Sequence, residues 1–279
     1  MAVDAGGNEG PGEGNQTEHR ESVAGRISTL IAAFDAASPT LTLSQLTDRT
    51  GLPKSTVHRM ADQLVEYRWL ERTTSGYRLG IRFFEVGGLV SSRSHLRERA
   101  LPFLQDLQAE AQHSVHLGIL EGTDVVILEK LWGHGSPSLP TRVGGRQPAY
   151  CTAVGKAMLA FEDQASQASA LANVVRRTEF TITEPRVMHA TLESVRRTGV
   201  AYDREEAYLG LGCVAAPIRS RGRTVGAVSA TGPVARTRAN SLVGEVRDTA
   251  LAIGSGQLAT LSRPLAPVTC ASPGRPRSR

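Results

Sequence analysis

Residues 41–80 read LTLSQLTDRTGLPKSTVHRMADQLVEYRWLERTTSGYRLG, and the order of signals in this stretch decides the fold around it. Thr42 is a natural N-cap for a short helix from Leu43 to about Thr50, with Leu43 and Leu46 facing inward. Gly51 supplies the positive φ that a tight turn between helices needs. Leu52 plugs the core, and Pro53 sits near the start of a third helix, where its missing N–H is no loss. That helix, about Pro53 to Tyr67, carries Val57, Met60, Ala61 and Leu64 at helical spacing. WLERTTSGYRLG then reads as a hairpin, Trp69 to Arg72 and Tyr77 to Leu79 around a Thr73-Thr74-Ser75-Gly76 turn. Upstream, Ser22 to Ala37 places Val23, Ile27, Leu30, Ile31 and Phe34 on one stripe of a first helix, ended by Ser38-Pro39. Three helices with a short glycine turn before the last, followed by a hairpin, make a winged helix-turn-helix.

With its apolar residues turned inward, the third helix leaves Lys54, Ser55, Thr56, His58, Arg59 and Asp62 on its outer side and near its start. Free backbone N–H groups and short hydroxyls at a helix start suit a phosphate, while longer side chains one turn on reach base edges. This assigns Lys54, Ser55 and Thr56 to the DNA backbone and His58 and Arg59 to base readout. Arg59 is best suited to guanine O6 and N7. In the hairpin, Arg72 and Arg78 are placed to track an adjacent phosphate strand. Any one of these side chains is equally at home on a solvated helix face. The set, after a turn of this length and before a wing, points to duplex DNA.

The bulk properties agree without deciding anything. At 279 residues the chain has room for two cores. The formal charge of +5 conceals two tails that cancel: −4 over the first 21 residues and +4 from Arg263 to Arg279. What is left on the middle is a weak sign of a polyanionic partner. No apolar run reaches the roughly 20 residues that span a bilayer, and the N-terminus lacks the basic and apolar regions of a secretory signal, so a cytoplasmic protein is expected. Cys151, Cys213 and Cys270 follow no metal-ligand or disulfide spacing and are expected to be reduced.

The expected division is a disordered tail over 1–20, the winged helix-turn-helix over 21–80, a linker helix over 81–93, a second domain over 94–262 and a disordered tail over 263–279. In the second domain a helix covers about Ser94 to Ala111, with strands at Ser114–Leu120 and Asp124–Leu131. An amphipathic helix covers about Ala153 to Phe161, and another runs from Thr183 to Arg197 with Pro185 in its first turn. Strands at Leu211–Arg219 and Thr224–Thr231 flank a Ser220–Arg223 turn, and a last helix runs from about Thr237 to Leu261. The whole is α+β, with helices expected on one side of an antiparallel sheet and the other side left free for a ligand.

The stretch quoted above resembles the DNA-binding domain of the IclR family of bacterial regulators. Downstream, YCTAVGKAMLA, then TEPRVMHATLESVRRTGVAYDREEAYLGLGCVAAPI, then RTVGAVSATGP resemble that family's effector domain in the same order. The resemblance covers about residues 22–262. It implies a homodimer, often paired into a tetramer, on a pseudo-palindromic operator, with a GAF-like sensor domain. It also implies a small-molecule effector, commonly an organic or aromatic acid; the family holds both repressors and activators, and a repressor is expected here.

Carried over by motif, the effector contacts are Thr152, Ala153 and Gly155, then Asp203, then Cys213, Ser229 and Thr231. The helix starting near Ala153 offers N–H groups to a carboxylate, and Ser229 and Thr231 alternate onto one strand face. Cys213 in an apolar strand is more often a core thiol, Ser229 and Thr231 are also readable as cross-strand partners, and Asp203, close to Arg204, as a turn residue or a surface ion pair. No Lys or Arg falls on the matched positions, and Asp203 would repel an anion. Two other readings compete. A thiol enzyme needs Cys213 or Cys151 beside a histidine such as His189, and nothing in the sequence brings one there. There is no phosphate loop, dinucleotide fingerprint or His-Glu-x-x-His site either, so no catalytic residue, metal ligand or cofactor is assigned. An architectural DNA-binding protein without a ligand is the third reading.

Overall fold

A computed structural model describes residues 22–256 apart from 134–138 and 238–239; the tails expected over 1–20 and 263–279 lie outside the described residues. The chain divides between Val90 and Ser91 into two compact units. The first opens on α1 (Val23–Ala32), whose N-terminus is capped by Ser22. This helix stops short of Ala37 because Asp35 turns its carboxylate onto Ser38 N at 2.7 Å, a local bond that competes with the helical ladder. After β1 (Thr40–Leu41) comes α2 (Leu43–Thr50), which starts in a capping box. Thr42 N donates to Gln45 Oε1 at 2.8 Å, and Gln45 N to Thr42 Oγ1 at 3.2 Å. Gly51 ends it with φ 67°, the left-handed conformation that the turn demands. Then follow α3 (Lys54–Glu66), the hairpin β2 (Leu70–Thr73) and β3 (Gly76–Leu79), and the short α4 (Arg82–Gly87). β1 pairs with β3, giving the order β1-β3-β2. Leu30, Leu46, Val57, Ala61, Leu64 and Leu70 form the centre of this core. The first unit is a winged helix-turn-helix.

The second unit contains α5 (Ser91–Ala111), β4 (Ser114–Glu121), β5 (Asp124–Leu131) and β6 (Arg146–Pro148). These lead to α6 (Ala153–Leu159), α7 (Gln164–Leu171), α8 (Pro185–Thr198) and β7 (Ala201–Arg204). The chain closes with β8 (Leu211–Ser220), β9 (Arg223–Pro233) and α9 (Asn240–Ser255). One antiparallel sheet takes the order β6-β5-β4-β9-β8-β7. Its alternation separates two cores. Val115, Leu117, Val214, Ile218, Val228 and Ala230 pack with α5 and α9 on one face. Ile127, Ala201, Ala215 and Ala227 pack with α6 and α8 on the other.

Helices therefore cover both faces, not one. The expectation failed at α6, which is not amphipathic: every residue from Ala153 to Leu159 is buried. Small side chains let it lie close to the sheet, and the only charge in it, Lys156, is met from within. Gly155 sets the closest approach. A Cβ there would stand 2.2 Å from Ala149 O and 2.3 Å from Ala149 Cα, both backbone atoms that cannot swing aside. Gly155→Ala is expected to lose about 2–3 kcal/mol of stability through overpacking. Gly244→Ala, on α9 with nothing within 4 Å of the added methyl, should gain slightly. Urea unfolding of the two variants checks the contrast.

Candidate functional sites

In the first unit, α3 starts with Pro53 at its cap and no side-chain oxygen on its first N–H groups. Those of α2, α6 and α7 are taken by Thr42, Thr152 and Asp163. Lys54 and Ser55 are exposed at this start, Thr56 is half-buried, and His58 and Arg59 are exposed one turn on. Among the described residues, no hydrogen bond or ion pair engages the side chains of Lys54, Ser55 or Arg59. His58 and the two wing arginines each have a carboxylate partner. His58 Nδ1 lies 3.1 Å from Asp62 Oδ2. Arg72 pairs with Asp62 Oδ1, donates to Tyr77 OH at 3.1 Å and lies over the Tyr77 ring at 5.2 Å. Arg78 holds Glu71 through Nε at 2.7 Å and a terminal nitrogen at 2.6 Å, and this contact lowers the Glu71 carboxyl below its ordinary range. Exposed pairs of this kind exchange partners readily.

In the second unit a cavity of about 550 Å³, part of it open to solvent, lies between α6 and the sheet. Of the seven positions carried over by motif, Thr152, Ala153, Asp203, Cys213, Ser229 and Thr231 line it. Gly155 does not; it packs against Ala149 behind the wall. The helix start is also less available than expected. Thr152 Oγ1 already accepts from Gly155 N at 3.2 Å, and α6 has only seven residues.

The sequence reading missed several lining residues, His116, Thr141, Gln147 and Tyr208 among them, together with apolar Val125, Ile127, Leu139 and Leu211. His116 was detectable. It stands between Val115 and Leu117 on β4, so strand alternation turns it onto the face opposite their core. It is fully buried, with Nε2 2.9 Å from Thr141 Oγ1. Burial, seconded by the nearby Lys130 charge, drives its pKa down to about 3, so the ring is neutral. Lys130 itself donates to Thr141 O at 2.7 Å and Leu139 O at 3.3 Å, so the ammonium stands behind the cavity wall.

The hydroxyls converge on β8 and β9. Thr231 donates to Cys213 Sγ at 3.1 Å, and Ser229 Oγ is buried with no partner among the described residues stronger than the same thiol. Burial pushes the thiols of Cys213 and Cys151 up to about 12, far from a nucleophile's range, and Cys151 packs in the core. Cys270 lies outside the described residues.

Behind the floor, Lys156 Nζ donates to Glu206 Oε1, with side chains only 1% and 7% exposed. Asp203 accepts from Glu206 N at 2.7 Å and Ala207 N at 3.4 Å. Burial raises the Asp203 carboxyl to about 7, against the pull of Lys156 and with a push from Glu206.

Fold and sites together define a DNA-binding regulator that carries a separate ligand-sensing domain. Residues 23–74 match the IclR helix-turn-helix domain, and residues 89–255 match the C-terminal domain of bacterial transcriptional regulators of the IclR type. The chain belongs to the IclR family of transcriptional regulators. The transcriptional regulator KipR of Bacillus subtilis is 34% identical over 228 residues, 77% of this chain and 89% of that protein. The glycerol operon regulatory protein of Streptomyces coelicolor is 31% identical over 82% of this chain and 93% of its own. Among solved structures, an IclR homolog from Microbacterium hydrocarbonoxydans, complexed with 4-hydroxybenzoate, is 29% identical with a TM-score of 0.78. That match covers 83% of this chain and 97% of the other. These relatives are regulators, and this chain is a regulator, not an enzyme.

A carboxyl raised on folding stabilises the fold in its neutral form, fully below its unfolded value of 3.8, and that contribution is lost as pH rises through about 7. Asp203→Asn keeps an acceptor for both backbone N–H groups but cannot ionise. Relative to wild type it is expected to gain about 1–3 kcal/mol of stability between pH 5 and pH 8. Urea unfolding at the two pH values measures this. An identical gap at both would contradict the buried, raised carboxyl.

Proposed function

We propose that the chain is a cytoplasmic, homodimeric repressor that leaves its operator when a small organic acid, aromatic acids included, occupies the cavity of the second unit. Pairing of dimers into a tetramer on DNA belongs to the same scheme. Lys54, Ser55 and Thr56 anchor phosphates at the start of α3, and His58 and Arg59 read base edges. Arg78 exchanges Glu71 for the adjacent phosphate strand, and Arg72, still held by Asp62, turns its remaining N–H groups to the same strand. Repression asks least of the fold, since occupying an operator needs only this surface and a second copy.

The observation that carries the ligand side is Ser229. A buried hydroxyl left with at most a weak thiol contact is under-satisfied, and a ligand acceptor placed there supplies the stronger bond. Apolar Val125, Ile127, Leu139 and Leu211 suit a flat hydrocarbon body. Asp203, with a pKa of about 7, opposes an anion less than an ordinary aspartate would. The 4-hydroxybenzoate bound by the Microbacterium relative supports the aromatic acids in particular.

Two experiments test the halves of this reading. On the selected operator, Arg59→Ala is expected to lose about 1–3 kcal/mol of discrimination, while Lys54→Ala weakens all sequences alike. Gel shifts that moved in neither way would remove α3 from the groove. In a thermal-shift screen of small aliphatic and aromatic acids, 4-hydroxybenzoate among them, a binder should raise the wild-type midpoint and lose roughly tenfold in affinity in Ser229→Ala. No shift with any acid, or binders indifferent to Ser229→Ala, would count against an acid effector in this cavity.

A further inference from the structure

Asp62 stands one turn after His58 on α3, and its two carboxylate oxygens are divided between helix and wing. Oδ1 holds the Arg72 guanidinium, itself fixed by Tyr77 OH at 3.1 Å and by the ring beneath it. Oδ2 faces His58 Nδ1 at 3.1 Å. Arginine has only donors, so its contact keeps Asp62 an acceptor. A carboxylate that only accepts requires the hydrogen of the imidazole to sit on Nδ1. In a neutral ring, Nε2 is then a bare lone pair. The His58 side chain is 51% exposed, and Nε2 has no hydrogen-bond partner among the described residues.

Resting on the reading that α3 lies in a major groove, we infer that Asp62 is a specificity-determining positioning residue. It fixes the His58 ring so that Nε2 accepts, and α3 thereby selects adenine or cytosine at the base His58 meets. In the major groove the amino groups of adenine N6 and cytosine N4 donate, whereas guanine O6 and N7 and thymine O4 accept. A lone pair therefore sorts amino bases from keto bases on the strand it faces. A ring freed from Asp62 is released to carry its hydrogen on Nε2, where it would favour the keto bases. The same carboxylate also clips α3 to β2, and a purely structural clip would leave base choice untouched.

The full-length protein, His58→Ala and Asp62→Ala are each used to select sites from a random duplex pool at pH 8. Affinities are then measured on duplexes differing at the one pair whose preference His58→Ala erases. Wild type is expected to favour adenine or cytosine there by roughly tenfold. Asp62→Ala should reduce that to about twofold or invert it, with preferences at other positions unchanged. In the free proteins, long-range proton–nitrogen correlation of the imidazole should place the hydrogen on Nδ1 in wild type and shift it towards Nε2 in Asp62→Ala. The inference is overturned by a guanine or thymine preference in wild type, by no position answering to His58, or by a preference that survives Asp62→Ala. Uniform weakening on all sequences would make Asp62 a clip and nothing more. A wild type that enriches no sequence refutes the groove reading, and the ring spectra still decide the tautomer on their own.

Discussion

Lys156 puts an ammonium in the middle of a helix that has no exposed residue, and Glu206 is the group that meets it. Moving either charge out of water costs several kcal/mol, and removing one partner of such a pair typically costs 3–5 kcal/mol. α6 can therefore lie against the sheet only if the loop after β7 returns with its carboxylate. That loop is held by further bonds that point the same way. Asp203 gathers the N–H groups of Glu206 and Ala207, while Thr178 and Thr181 donate to the carbonyls of Glu205 and Glu206. The pair thus locks the α6 wall of the cavity, with Thr152 and Ala153, to the β7 wall, with Asp203. Cavity shape follows from where one buried charge finds its partner.

The same constraint explains why the cavity is poor in cations although the chain is basic. Lys156 is spent on Glu206, and Lys130 on two backbone carbonyls behind Leu139 and Thr141. What faces a ligand is a neutral histidine, hydroxyls, a thiol that stays protonated, and a carboxyl that titrates near pH 7. Such groups discriminate by direction and fit, not by bulk attraction.

The winged helix-turn-helix was legible because its signals are local. The Thr42 cap, the Gly51 turn and the 3.6-residue spacing of Val57, Met60, Ala61 and Leu64 are each fixed within a few residues. The long strands were legible for the same reason. β1, β6 and β7, with two, three and four residues, owe their existence to partners distant in sequence. α6 was read with the wrong surface because the one lysine in AVGKAML implies a solvent-facing side until Glu206, fifty residues on, removes that charge from view. Six of the seven motif positions fall on the cavity, but His116, Thr141 and Gln147 come from segments outside the family-like stretches and converge only through the sheet order, while Tyr208, inside one of them, was passed over. Gly155 was the reverse case. It belongs to the motif, yet it shapes the wall by having no side chain.

Both units handle charge in the same manner. A carboxylate or carbonyl engages a cation whose position matters, and the surface left over is chemically narrow. In the first unit Glu71 and Asp62 engage Arg78 and Arg72, so the unengaged cations near the start of α3 are Lys54 and Arg59. A sequence pI near 9.4 overstates what phosphates would meet. With few uncommitted cations at the start of α3, directed contacts count for more there than bulk attraction. In the second unit the Lys156–Glu206 pair sets the two walls of the cavity, while the hydroxyls of Ser229 and Thr231 are placed by β9.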